Sequence, residues 1–144
     1  MYSDSGFPTI RFVLDTNATK PTKGYVGDAG WDLYTSESVS VPPFSSRDVP
    51  TGVRSALPQG YFARITGRSS TIRKHRLFVV EGIIDNGYRG ELFVSVFNPI
   101  ETPVIIEART RIAQFIIHKN HNVSWHEVET LPKSERGDHG FGST

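Results

Sequence analysis

Four stretches of the sequence carry polar groups that packing alone does not require. In TGRSST (Thr66–Thr71) a glycine is followed by an arginine and three hydroxyls. Backbone amides, hydroxyls and a guanidinium converging after a strand make a cradle for an anion such as a phosphate. In GIIDNGYRGE (Gly82–Glu91) a hairpin turn on DNG presents Asp85 and Tyr88 at its mouth, with the amides of Gly82, Ile83 and Ile84 nearby. An ionised aspartate in that position orients or deprotonates a water. The ending RGDHGFGST (Arg136–Thr144) offers Arg136 as a bidentate fork for phosphate and Ser143 and Thr144 as hydroxyl donors. Its glycines let backbone amides wrap an anion, and Phe141 is a flat face for a nucleobase. Such a segment closes over its ligand as a lid. The fourth stretch is GDAGWDLYT (Gly27–Thr35), where Asp32 stands between Trp31 and Leu33.

Taken singly, each stretch also has a plainer reading. Asp32 fits a turn-stabilising carboxylate bonded to backbone amides, and DNG fits ordinary turn chemistry. Ser69 or Ser70 fits the N-cap of a short helix. His118, His121 and His126 lack a carboxylate partner and helical ligand spacing, so they read as a solvated strand end and not as a zinc site. There is no Walker-type phosphate loop, and no Ser–His–Asp order is defensible.

Short β-prone runs punctuated by Pro and Gly must position these groups. Thr9–Leu14, Ser38–Val41, Tyr61–Gly67, Leu77–Asp85, Glu91–Phe97, Pro103–Ala108, Arg111–Lys119 and Ser124–Glu129 read as strands of an all-β sandwich or barrel. No segment sustains a 3.6-residue apolar period, so helix is limited to a turn or two at Ser69–His75. In RIAQFII, Ile112 and Ile116 point one way while Ala113, Phe115 and Ile117 point the other. A strand apolar on both faces in a small antiparallel domain suggests that one face meets another subunit. From Leu131 onward the composition reads as a tail, dividing the chain into a β domain over 1–130 and a mobile C-terminal arm over 131–144.

Composition narrows the function classes. The chain has 144 residues, enough for one core without staples, and no cysteine. Disulfides, thiolate zinc sites and cysteine nucleophiles are therefore excluded, and a reducing intracellular setting, the cytoplasm, is expected. The first ten residues lack a signal-peptide pattern, and no apolar run approaches the roughly 18 residues of a membrane span. Net charge is +1 with the signs interleaved, so neither nucleic acid nor membrane is expected as a partner.

Together and in this order, the four stretches resemble the homotrimeric dUTP pyrophosphatases, the dUTPases. The likeness runs from DAGWDL to the last residue, includes a fifth stretch, RIAQ (Arg111–Gln114), and is most specific in RGDHGFGST. It implies an all-β, distorted jelly-roll fold with at most one short helix and a flexible C-terminal arm. It implies a homotrimer with shared active sites: phosphate-binding parts from one chain, the nucleoside hairpin from a second, the closing tail from a third. The implied reaction hydrolyses dUTP to dUMP and pyrophosphate, with Mg²⁺ held mainly by the triphosphate. Such a reaction limits uracil in DNA and supplies dUMP for thymidylate synthesis.

Carried over by position, Asp85 activates the water that attacks the α-phosphorus. Tyr88 packs under the deoxyribose and excludes a 2′-hydroxyl, while the backbone of Gly82, Ile83 and Ile84 reads uracil. Arg68, Ser69, Ser70 and Gln114 hold the phosphates. Arg136, Gly142, Ser143 and Thr144 grip the γ-phosphate, and Phe141 stacks on the base. Asp32 stands near the metal's water shell, acting through water. The chain departs from the family's pattern at Ser70 and His139, where glycine is usual, and at Gly87, often acidic. Two other readings are a dCTP deaminase-type sister enzyme, which has a glutamate where this chain has Ser95, and a nucleotide-gated regulatory binding protein.

Overall fold

Alternating apolar and polar side chains close the chain into two facing sheets. The computed structural model describes residues 6–142. Along them run β1 (Arg11–Leu14), β2 (Trp31–Tyr34), β3 (Val39–Val41), β4 (Ser46–Ala56) and β5 (Tyr61–Gly67). Helix α1 (Ser69–His75) follows, then β6 (Phe78–Val80), β7 (Gly82–Ile84), β8 (Glu91–Phe97), β9 (Val104–Ile106) and β10 (Arg111–Lys119). One sheet has the order β1-β4-β8-β6 and the other β2-β10-β5-β7, with β3 and β9 paired separately. Val49, Val94 and Val96 of the first sheet meet Leu33, Ile65 and Phe115 of the second in one buried cluster. The fold is all-β with a single short helix, of the jelly-roll type. No helix among the described residues is long and apolar enough to cross a membrane.

Three local readings are corrected, and one strand lies where none was expected. The stretch SRDVPTGVRSA, interrupted by Pro50 and Gly52, is the longest strand, β4. It survives because a bulge absorbs the breakers: Pro50 stands opposite Phe93 and Arg54 opposite Glu91, with a register shift between. Gly52 sits there at φ +71°, and a Cβ on it would come within 2.7 Å of the Ala18 Cβ. Thr51 replaces ladder bonds in the bulge, its hydroxyl donating to the Leu92 carbonyl at 2.6 Å and accepting from the Val53 amide at 3.2 Å.

Leu77–Asp85 is two strands and not one. β6 pairs with β8 in one sheet, and β7 pairs with β5 in the other. The chain crosses between sheets at Glu81, whose carboxylate meets Arg64 Nε at 3.0 Å. Ser124–Glu129 forms no strand, since residues 120–142 lie outside both sheets and Trp125 is fully exposed. On β10, a register shift between Arg111 and Ala113 turns Ile112 into the core beside Ala113, so the simple alternation fails at that point.

One polar side chain organises the turns behind β8. Asn98 is fully buried, and its amide nitrogen donates to the carbonyls of Val41, Pro42 and Thr102 while its oxygen accepts from the Ile100 amide. Replacing it leaves buried carbonyls without donors. Asn98→Ala is expected to cost about 2–4 kcal/mol of stability in urea titrations.

Helix α1 has Arg68 at its N-cap with no side-chain cap bond, so neither Ser69 nor Ser70 serves as its cap. Its last turn is basic: Arg73, Lys74 and His75. Burial, then Lys74, then Arg68 lower the His75 pKa below its ordinary 6.5. The unfolded chain therefore binds the proton more readily than the folded one. Stability from this residue is present above about pH 6.5 and is lost as pH falls through the lower folded value. His75→Gln is expected to flatten that part of a thermal-stability profile between pH 5 and 7.

Candidate active site

The site residues fall into two groups, each placed by the strand lattice. The first lies on the outer face of the second sheet. Leu33 points into the core, so its neighbour Asp32 points out, and Gln114 stands opposite Asp32 on β10. Thr66 stands opposite Gln114 on β5, and two residues later the chain turns into α1 through Arg68.

Here Asp32 is no turn stabiliser, contrary to the plainer reading. One of its oxygens lies 2.8 Å from Arg68 Nε and the other 3.6 Å from Arg111 Nη1. The Arg68 and Asp32 side chains are only 24% and 18% exposed, so water screens this pair less than a surface ion pair. Arg68 Nη1 also donates to the Ser70 hydroxyl at 3.0 Å. Gln114 donates its amide to the Gly67 carbonyl at 3.0 Å. Gly30 lies beneath it, and a Cβ there would come within 2.9 Å of the Gln114 carbonyl oxygen. Two guanidiniums around one carboxylate leave a net positive face suited to a polyphosphate.

The second group surrounds a cavity of about 190 Å³ lined by Ile83, Ile84, Asp85, Tyr88, Glu91 and Phe93. The DNG segment turns the chain, with the Tyr88 amide donating to the Asp85 carbonyl at 3.1 Å. It is not a two-residue hairpin of the expected type. Neither Asn86 nor Gly87 has positive φ, and β7 and β8 belong to different sheets. Asn86 is instead a clamp, donating to the carbonyls of Pro58 and Tyr61 at 2.9 and 2.8 Å. The Tyr88 hydroxyl donates to the Glu91 carbonyl at 2.7 Å, which folds the ring over Gly90. β7 is an edge strand, so half of its backbone groups over Gly82–Ile84 face away from β5.

The described part of the tail carries a turn of its own. Arg136 Nε donates to the His139 carbonyl at 2.5 Å, and the Gly137 amide donates to the Ser134 hydroxyl. Phe141 is fully exposed, and Gly142 is at φ +88°. Ser143 and Thr144 lie outside the described residues.

One protomer therefore brings Asp32, Arg68, Ser70 and Gln114 together, with Ser69 exposed beside them. It brings Ile83, Ile84, Asp85 and Tyr88 together elsewhere. Sequence reasoning missed Arg111 as the second partner of Asp32, and Glu91 and Phe93 as pocket walls. Arg111 stands in the RIAQ stretch, but its partner lies on another strand, and spacing along one chain does not reveal that pairing. A second cavity, about 780 Å³ and largely apolar, opens between the edge strands β1 and β2, with Phe12, Trp31, Phe115 and Ile117 in its walls.

Comparison with known proteins agrees with this geometry. The dUTPase family profile matches residues 16–144. The deoxyuridine 5′-triphosphate nucleotidohydrolase of Leifsonia xyli is 43% identical over 127 residues, covering 86% of this chain and 84% of its own length. The dUTPase of Staphylococcus bacteriophage 80alpha with dUPNHPP is 29% identical, with a TM-score of 0.89 over 94% of this chain and 98% of that one. A mutant dUTPase from phage phi11 of S. aureus, described with a structural Mg(II) ion, is 25% identical, with a TM-score of 0.80 over 85% and 98% of the two chains. A family match across almost the whole chain and a relative at this identity lead to one conclusion: the chain belongs to the dUTPase family.

Proposed function

We propose that the chain hydrolyses dUTP to dUMP and pyrophosphate in active sites that neighbouring copies complete. The separation of the two clusters carries this reading. Gln114 is level with Thr66 on β5, whereas Asp85 lies one residue beyond the Ala63–Ile84 pair and two strands away. At about 3.3 Å per residue along strands and about 4.8 Å between them, the Gln114 and Asp85 backbones are roughly 16 Å apart. Arg68 is farther still along the strand. Yet the phosphate grip and the water-activating carboxylate must meet at one α-phosphorus. The 190 Å³ cavity is also below the roughly 300–1,000 Å³ of a complete small-molecule site. Two partial sites facing each other across a subunit border, in a homotrimer, resolve both facts.

The arm fits the same assembly. Val123, Trp125, Leu131 and Phe141 are 79–115% exposed on a segment that starts after β10. Large apolar side chains left in water mark a contact surface, and the apolar slot between β1 and β2 is a matching vacancy for a neighbour's arm. The arm thus begins near residue 120, and 136–142 form its closing end.

In the assembled site Arg68, Ser69, Ser70 and Gln114 hold the phosphates, and the tail's Arg136 closes on the γ-phosphate. Tyr88 lies under the deoxyribose, its ring fixed by the Glu91 carbonyl. The open edge of Gly82–Ile84 pairs with the uracil edge, so cytosine would bury mismatched donors. Asp85 takes a proton from water as its oxygen attacks the α-phosphorus, and the bond to the bridging oxygen breaks to release pyrophosphate.

Among the described residues no group of three or more His, Asp or Glu side chains could hold a metal ion. Both Asp32 oxygens already face arginines. This donor set fits Mg²⁺ carried by the triphosphate, with Asp32 reaching only its water shell. When bound, Mg²⁺ neutralises phosphate charge and lets the water approach. For the deaminase reading, Ser95 is no acid–base carrier; its hydroxyl donates to Asp48 on the exposed face of β8.

Asp85→Ala is expected to bind dUTP yet lose at least a hundredfold in kcat, and a modest loss would remove its assigned role. Deletion of residues 136–144 is expected to cripple turnover while leaving a folded trimer by light scattering. Mixing the two inactive variants under subunit exchange should restore pyrophosphate release. Failure of exchanged mixtures to regain turnover would rule out sites shared in this way.

A further inference from the structure

Ser70 stands in the first turn of helix α1, and its hydroxyl has a specific use. Helix α1 does not use it as a cap. Instead its oxygen accepts from Arg68 Nη1 at 3.0 Å, while Arg68 Nε is held by Asp32 at 2.8 Å. We propose that Ser70 is a positioning residue for the phosphate-binding arginine: hydroxyl and carboxylate grip the guanidinium from two sides and set its plane before substrate arrives. The inference rests on the reading of Arg68 as a phosphate ligand.

The chemistry follows from the shape of the group. A guanidinium is planar and its five donors are fixed relative to one another. A single contact at Nε leaves the plane free to swing about the side-chain torsions. A second contact at Nη1 removes that freedom, and the remaining donors of Nη1 and Nη2 form one fork with a defined direction. An arginine held this way loses little rotamer freedom when it meets a phosphate. A serine hydroxyl can accept from Arg68 and still donate its own proton. That proton lies on the same path, so the phosphate meets a chain running from Asp32 through Arg68 to Ser70. Gly at this position would leave Arg68 with Asp32 alone.

The test is a double-mutant cycle read as the Kd of α,β-imido-dUTP by calorimetry, with KM and kcat alongside. Ser70→Ala and Ser70→Gly are each expected to weaken binding about three- to tenfold, from one freed rotamer-rich side chain. KM should rise by a larger factor than kcat falls, since the interaction holds substrate before the chemical step. Ser70→Thr, which keeps the hydroxyl, should restore most of the affinity, whereas a merely structural role would not depend on the oxygen. In an Arg68→Lys background the charge remains but the fork is gone, and Ser70→Ala should then lose at least half of its effect. Additive effects of the two substitutions would overturn the proposal while leaving Arg68 as a phosphate ligand. If Arg68→Lys alone left Kd unchanged, the phosphate reading of Arg68 would fall and the proposal with it. Molar mass and thermal unfolding of each variant show that the comparison is between folded assemblies.

Discussion

The strand lattice of the second sheet is the constraint on which the catalytic arrangement depends. In the order β2-β10-β5-β7, a side chain's place is set by its strand and its level, and neither adjusts once the ladder is formed. Asp32 and Gln114 share a level on adjacent strands, which puts a carboxylate and an amide side by side on the outer face. Asp85 falls beyond the end of β7, away from that level. No side-chain rearrangement within one protomer closes such a gap, because the intervening strands are hydrogen-bonded and their inner faces are packed. On the proposed reading of these residues, the gap makes oligomerisation a geometric requirement of the chemistry.

Electrostatics reinforces the same division. The chain's overall charge is almost neutral, so attraction for a triphosphate must be local. The partly buried Arg68–Asp32–Arg111 group supplies it with one negative and two positive side chains. The aspartate holds both arginines in place on a half-buried face and prevents two like charges from repelling each other unaided. The pocket beside the Asp85–Tyr88 turn, in contrast, carries Asp85 and Glu91 beside apolar walls. On the proposed assignment, one partial site binds an anion and the other delivers a base and seats a nucleoside. Their separation along the lattice keeps Asp85 out of reach of Arg68 within one protomer.

How much of this was legible in the sequence depended on whether the information was local. Strands bounded by clear turn residues, such as Tyr61–Gly67, Glu91–Phe97 and Arg111–Lys119, match the structure end to end. β4 was hidden because Pro50 and Gly52 read as breakers, whereas a bulge and the Thr51 side chain accommodate both. The break between β6 and β7 was hidden because switching sheets at Glu81 leaves an unbroken apolar run in the sequence. Among site residues, Arg68, Ser70, Gln114, Asp85 and Tyr88 stood in recognisable stretches. The ionic partner of Asp32 and the anchoring of Asn86 to Pro58 and Tyr61 did not, since both link elements distant in sequence.

The glycine-rich tail completes the reasoning from cost to function. Its described part carries local bonds between Ser134 and His139. Ordering such a segment over a ligand costs conformational entropy that only a specific set of contacts offsets. The cost is useful in a hydrolase whose solvent is also its reactant. On the proposed reading, a lid that closes only when Arg136 meets a γ-phosphate and Phe141 meets a base would require both ends of the correct nucleotide at once. A diphosphate or a free base would satisfy one end and leave the ordering cost uncompensated. Discrimination would then reside in the arm's reluctance to fold as well as in the rigid pocket.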